Sequence, residues 1–327
     1  MNFYETPIYS KDREKLKHDL TNKISNFYNV KNCHLLTSGS HAIFFILDCL
    51  CLYLEKGTFL ISKYIYGGTR KKIIPEIKRR YPNITIEFID IFDELFLQKL
   101  SLCDVLFMES CSNPHGYIFN PENFSFFSYI IIDNTWLSPV VFNPFNYKTG
   151  KKIVIDSCTK YISGGNCMMG SICYDNNLEK NMISFINNKL DTIGIHISIP
   201  YCKTIIDFID SLEYRIKSSY TRTLDAISYL KNNSKIIELI HPSIHSPELM
   251  RDFTYGPGPS VIFLKLKNYK HEDAYNAGFN IMTSFAHPKD SIDPCIKKDN
   301  NGVFIRISFG YSDDSNIYEK LTSFLKD

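Results

Sequence analysis

The chain is expected to be α/β through its first two-thirds and α+β in the remainder. Three observations predict this: short, continuous apolar runs rich in β-branched residues, helical or loop-like stretches between them, and a change to long helical patterns near Tyr201. Strands that are apolar without alternation are buried on both faces, which suits a mostly parallel sheet covered by helices.

The first element is a helix over about residues 13–27, because Leu16, Leu20, Ile24 and Phe27 share one face. A strand-like run ends at Thr37, and Ser38-Gly39-Ser40 then opens a strongly apolar helix reaching about Leu54. Runs at 58–62, 84–89, 105–108, 129–132 and 153–155 read as buried strands. From Tyr201 onward IIDFIDSLEYRIKSSYTRTLDAISYLK is helical, and strands follow near 261–266 and 303–307 before a last helix. The boundary between two domains is expected in or after the long helix, between about residues 210 and 235.

With 327 residues, 44% of them hydrophobic, the chain can build a large core and a smaller second one. The 37 Lys and Arg against 35 Asp and Glu leave a net charge of +2, so nothing points to nucleic acid. Ten cysteines lie mostly in or beside apolar runs, with no CxxC pair, as expected of free thiols in a reducing compartment. MNFYETPIYSKDREKLK lacks the apolar core of a signal peptide, and the longest apolar stretch, 42–54, is too short to span a bilayer. A soluble, cytoplasmic protein is the expectation, with no membrane partner.

Open α/β sheets take their ligands beyond the carboxyl ends of the strands. The polar groups in those places are Ser38-Gly39, Tyr66-Gly67-Gly68-Thr69, residues 109–113, Asp133-Asn134 and residues 157–160. Lys160 follows a buried strand, has Ser157 and Thr159 before it and Gly164-Gly165 after it. A desolvated lysine there becomes a nucleophilic amine, and hydroxyls beside it can hold a phosphate. The same spacing also fits a surface lysine at a strand end. Asp133 ends the apolar YIIID run, either as a helix cap or as a buried carboxylate that pairs with a cofactor ring nitrogen. His41, His115 and His287 share no metal-ligand spacing and read as packed or solvent-facing residues.

Taken in order, SGS, YGGT, ESCSNP, DNTWLSP, SCTKYISGG and IRISFGYSDD resemble the Cys/Met-metabolism (transsulfuration) family of fold-type-I enzymes that use pyridoxal 5′-phosphate (PLP). That family includes cystathionine synthases and lyases and methionine γ-lyase. The resemblance runs from about Tyr9 to the C-terminus and is most specific in DNT…SCTKY…GG. It implies an N-terminal arm over 1–15, a PLP-binding large domain over 16–215 with a mostly parallel seven-stranded-type sheet, and a small α+β domain over 216–327.

The resemblance also implies roles. Lys160 carries PLP as a Schiff base and then moves protons. Asp133 pairs with the pyridine nitrogen, and Asn113 sits near the cofactor hydroxyl. Ser38, Gly39, Ser40, Ser157 and Thr159 surround the phosphate, at a helix N-terminus that favours anions. Tyr66 stacks on the ring and assists proton transfer or departure of the leaving group. Arg306 binds the substrate carboxylate through a planar fork, with Ser284 near the lysine. An edge-strand arginine in a surface ion pair is the other reading of Arg306. Tyr9 and Lys11 correspond to an arm that reaches a neighbouring subunit's phosphate, here shortened and carrying lysine where the family has arginine. Cys111 replaces a usual proline, Gly68 stands where methionine γ-lyases often have cysteine, and Thr283 stands where some members are acidic.

The implied activity is elimination or replacement at Cβ or Cγ of an amino acid bearing a sulfur or activated-oxygen group. The lean is towards γ-chemistry on a homoserine- or methionine-type substrate, because such activities are frequent in the family. Aldol cleavage, decarboxylation or transamination on the same fold is the alternative, since fold does not fix chemistry; a non-catalytic protein of this fold is a further one. A homodimer or homotetramer with sites at the subunit interface is the implied assembly.

Overall fold

The structure, a computed structural model, describes residues 11–90, 103–120, 129–147, 150–299 and 301–326. The chain divides into two units. The first joins Met1–Asn113 to Phe119–Ile209, and the second joins Pro114–Ile118 to Asp210–Asp327.

The first unit is built on a seven-stranded sheet. Its strands are β1 (Asn32–Leu36), β2 (Gly57–Ser62), β3 (Ile84–Ile89), β4 (Val105–Glu109), β5 (Tyr129–Asp133), β6 (Lys151–Ser157) and β7 (Gly170–Tyr174), in the spatial order β1-β7-β6-β5-β4-β2-β3. From β3 to β6 every pairing is parallel. β7 runs antiparallel to both β6 and β1. The run 170–174 is not among the strands expected from the sequence; GSICY is short, although Gly164-Gly165-Asn166 in the loop before it is a turn signal.

Odd-numbered residues of β4, β5 and β6 face helix α2 (Gly39–Leu54): Val105, Phe107, Ile131, Ile153 and Ile155 share one core cluster with Ala42, Ile46 and Leu50. That parity follows from the two-residue period of a strand. α2 is apolar almost all round because sheet and helix bury it from several sides. The even-numbered face is approached by helix α1 (Lys11–Tyr28), whose Tyr28 hydroxyl donates to Asp156 Oδ2 at 2.7 Å. Asn134 Nδ2 donates to the same hydroxyl at 2.9 Å and to the Phe142 carbonyl at 2.9 Å. A buried carboxylate, phenol and amide thus anchor α1 to the sheet.

The second unit begins at the end of the first unit's last helix and contains the long helix Leu212–Leu230. Its five-stranded sheet comprises β8 (Ile236–Ile240), β9 (Val261–Leu266), β10 (Asn280–Ile281), β11 (Ser291–Asp299) and β12 (Gly302–Ser308), in the order β10-β11-β12-β9-β8. One face packs Ile262, Leu264, Ile305 and Ile307 against Ala226, Leu230 and Leu321. A buried ionic cluster ties this unit together: Asp290 accepts from Arg222 at 2.6 Å and Lys320 at 3.1 Å, while Lys320 also reaches Asp313 at 2.9 Å.

Among the described residues no helix is long and apolar enough to cross a membrane.

Candidate active site

Register fixes which strand ends meet. Glu109 of β4 lies beside Asp133 of β5, and Asp133 beside Ile155 of β6. Ser157, two residues on, pairs with Gly170 of β7, which pairs in turn with Leu36 of β1. The parallel strands end at one edge of the sheet, and the segments that leave it carry Ser38-Gly39, Glu109, Asp133 and Ser157 to Lys160. Glu109, Asp133 and Ser157 have the parity of the α2 face, so their side chains stand on the side where α2 begins.

α2 starts against Ser157. Ser38 is its N-cap, extended at φ −162 and accepting from the His41 N–H at 3.1 Å. A Cβ on Gly39 would fall 2.7 Å from Ser157 Cβ, and one on Gly170 only 2.3 Å from the Ser38 carbonyl oxygen. Only glycines let helix start, β6 end and β7 start approach this closely. The first N–H groups of a helix have no intrahelical acceptor; here they open beside the Ser157 side chain, with no acidic residue in the first turn. That is a favourable place for an anion. Ser40 is exposed within this turn.

Lys160, partly buried, sits in a braced turn after β6. Its own N–H donates to Ser157 O at 3.0 Å, Ser163 N–H to Cys158 O at 2.8 Å and Gly165 N–H to Thr159 O at 3.0 Å. Gly164 and Gly165 take φ values of 60 and 82, the left-handed region that favours glycine. The Thr159 hydroxyl accepts from the Met169 N–H at 3.2 Å, closing the loop.

Asp133 is buried, and its Oδ1 accepts from the Thr135 N–H at 3.0 Å. The Thr135 hydroxyl accepts from the Ser157 N–H at 2.8 Å, linking the Asp133 turn to the end of β6. Burial pushes the Asp133 carboxyl above its ordinary value, against the hydrogen bonds from Thr135. A cation beside it reverses that balance, so the position suits a protonated ring nitrogen. Burial also pushes Glu109 well up, with the neighbouring Asp133 charge adding to it. Glu109 Oε1 accepts from the Tyr66 N–H at 2.5 Å. Asp156, on the opposite face, is pushed up to about 7 by burial.

Tyr66 exposes half of its side chain, and its ring lies across Gly68, where a Cβ would fall 2.4 Å from the ring. Gly68 therefore lets the tyrosine fold back over its own backbone, which a cysteine there does not without moving the ring. Asn113 is half-buried four residues past Glu109.

Arg306 and Ser284 belong to the second unit. Arg306 is buried on β12, an interior strand, and not on an edge as one reading of the sequence had it. Its Nη2 donates to the Thr283 carbonyl at 2.7 Å and reaches the Ser284 carbonyl at 3.5 Å. It also pairs with Asp293, its cross-strand neighbour on β11, at 2.9 Å. Lys11 is the exposed first residue of α1, and Tyr9 lies outside the described residues.

A family model described as Cys/Met metabolism PLP-dependent enzyme matches residues 4–284. The chain belongs to this family. Among relatives of this Cys/Met-metabolism enzyme are mimosinase of Mimosa pudica, 24% identical over 270 residues, and methionine gamma-lyase of Arabidopsis thaliana, 24% identical over 266 residues. The first match covers 78% of this chain and 58% of the relative, the second 76% and 58%. The chain thus spans under two-thirds of the length of those relatives. A solved apo methionine gamma lyase from Micromonospora echinospora has a TM-score of 0.82 at 16% identity, covering 100% of this chain and 91% of that one. That likeness shows the fold, which is fold-type I.

PLP is the cofactor that the family name carries, and the residues present fit it. The glycine-tight start of α2 beside Ser157 suits its phosphate, buried Asp133 suits its ring nitrogen, and Lys160 offers the amine. Glu109 stood among the polar residues expected at the strand ends but without a role, and Thr135, Asp156 and Asp293 were given none. Glu109 and Asp156 carried one signal, an acid inside or at the end of a continuous apolar strand.

Proposed function

We propose that this chain uses PLP on Lys160 to eliminate or replace a sulfur or activated-oxygen substituent at Cβ or Cγ of an amino acid, with a lean towards γ-chemistry on a homoserine- or methionine-type substrate. Membership of the family supports the chemistry, and the activities of its relatives support the substrate class. One observation carries the site: Asp133, Ser157, Gly39 and the Lys160 turn converge at one edge of one sheet, in register.

When bound, PLP supplies a conjugated cationic ring that withdraws electrons from the α-carbon of an amino acid joined to it. The protein does the rest. The α2 N-terminus and Ser157 hold the phosphate end. Asp133 would hold a negative charge for the ring nitrogen, and Asn113 would serve the ring hydroxyl. The Lys160 amine holds the cofactor, then takes the Cα proton and returns it at a neighbouring carbon. Tyr66, half exposed, would stack on the ring and could give a proton to the departing group. The roles proposed for the second unit's residues are that Arg306 would bind the substrate carboxylate and that Ser284 would serve near the lysine.

The assembly proposed is a homodimer or homotetramer in the cytoplasm, with Tyr9 and Lys11 reaching a neighbouring subunit's phosphate. Light scattering tests the first point and unchanged PLP affinity in Lys11→Ala removes Lys11 from the second.

The test of the activity is direct. Purified protein given PLP gains visible absorbance, which Lys160→Ala lacks, and a panel of Cβ- and Cγ-substituted amino acids releases keto acid together with thiol or another leaving group. A wild type that stays colourless with PLP sinks the proposal; aldehyde or carbon dioxide as product sends the same fold to aldol cleavage or decarboxylation.

A further inference from the structure

The chemistry just described leaves one titratable group at the site without a task. Glu109 is 4% exposed, at the last position of β4 and in register with Asp133. Side chains in register on neighbouring parallel strands stand on the same face. One oxygen of Glu109 accepts the Tyr66 N–H at 2.5 Å, and Oε2 is buried with no hydrogen-bond partner. The Tyr66 carbonyl in turn accepts from the Arg70 N–H at 3.0 Å. Tyr66 is therefore pinned through both sides of its backbone while half of its side chain stays exposed.

We propose that Glu109 is a positioning residue: it holds Tyr66 in place as an uncharged acceptor and leaves Asp133 as the one carboxylate charge at that end of the sheet. This rests on the reading of Asp133 and Tyr66 as cofactor residues.

Two neighbouring carboxyls in a dry place cannot both ionise without mutual repulsion, so one keeps its proton. Two observations say which. Asp133 has the Thr135 N–H as a donor that rewards its charge. Glu109 has one backbone donor, and its second oxygen has none, a position a charged carboxylate tolerates poorly. A carbonyl oxygen accepting from the Tyr66 N–H is all that the geometry asks of Glu109, and a neutral acid supplies it. The arrangement separates two duties that the same residue type performs one strand apart: charge for the cofactor ring at Asp133, uncharged support for the tyrosine at Glu109.

The experiment uses full-length protein loaded with PLP, and compares wild type with Glu109→Gln and Glu109→Ala. It reads PLP affinity, the visible circular dichroism of the bound cofactor and the pH midpoint of its absorbance. Gln keeps a neutral carbonyl acceptor, so Glu109→Gln is expected within about twofold of wild type in affinity, with the same circular dichroism and pH midpoint. Ala removes the acceptor, and Glu109→Ala is expected to bind PLP about fivefold or more weakly, with altered circular dichroism. A pH midpoint in Glu109→Gln lower by more than about half a unit overturns the proposal, because it means that a negative charge supporting the cofactor's cationic forms has been lost. Equal damage in both variants overturns it, and so does wild-type behaviour in both. If Glu109→Ala does not fold, the Gln pH midpoint still decides. A wild type that fails to bind PLP is a separate failure, that of the cofactor reading itself.

Discussion

Arg306 and Asp293 face each other across β12 and β11, joined by an ion pair of 2.9 Å within a largely buried setting. The residue assigned to a substrate carboxylate thus already holds a carboxylate of the protein. In the role proposed for Arg306, a substrate carboxylate would add a second negative group to the same guanidinium, and Asp293 would oppose it.

Asp293→Asn is therefore expected to lower KM for an amino-acid substrate by about fivefold, leaving kcat little changed, since the effect is on carboxylate binding common to ground and transition states. The same change leaves a buried guanidinium with a weaker partner and costs about 3 kcal/mol in urea denaturation. A raised KM would mean that Asp293 orients Arg306 more than it competes for it.

Asp156 gives a pH dependence with a definite sign. Its folded value is pushed up to about 7 by burial, above that of an unfolded aspartate. The folded state then binds the proton more tightly, so its contribution to stability is present at low pH and lost as pH rises towards 7. Asp156→Asn is expected to gain stability relative to wild type at about pH 8 and to gain none at about pH 4, with the Tyr28 hydroxyl still bonded to the amide oxygen. Urea midpoints measured across that range check it; a constant difference at every pH contradicts it.

Gly170→Ala separates close backbone approach from loop flexibility. A Cβ there meets the Ser38 carbonyl and Gly39 N, both backbone, at 2.3 and 2.8 Å. Something must shift by several tenths of an ångström, and the start of α2 shifts with it. The expected result is a loss of about 2 kcal/mol in stability and a fall of about tenfold or more in PLP affinity, read by thermal melting and equilibrium titration. Gly67→Ala, with nothing within 4 Å of the added carbon, is the matched control and is expected to change neither by much.

The ionic cluster of the second unit predicts acid sensitivity. Asp313 is held well below the usual carboxylate range by hydrogen bonds from Ser315, the Asp290 N–H and Lys320, which outweigh burial. A depressed value means that the contribution is present above the unfolded value and lost as pH falls through the folded one. Lys320→Met leaves Asp290 and Asp313 close together without their shared cation, and is expected to cost about 3 kcal/mol at neutral pH and less below about pH 3.

Much of the first unit was legible because its strands are buried on both faces, and continuous runs such as YIIID and IVI have few other uses. The strands from 57 to 157 and the apolar helix after Ser38 fall within a few residues of their expected limits. β7 was not legible: its reversal depends on the loop 158–169 and on glycine contacts made only in three dimensions. The residues proposed for the cofactor stand out in the sequence because motif and strand end coincide. Their supporting layer does not. Glu109 contacts the backbone of Tyr66, forty-three residues away, and leaves only an acid at the end of an apolar strand as a local sign; Asp293 meets Arg306 through register on a neighbouring strand and leaves none.

The hydrogen bonds that brace residues 157–169 also bear on time. A post fixed at its base moves its tip only by rotation along the arm. In the role proposed for Lys160, its amine would move between carbons by turns about its own four-carbon stem, motions of picoseconds to nanoseconds. On that reading, proton delivery would be set by where the arm points and not by rearrangement of the braced turn beneath it.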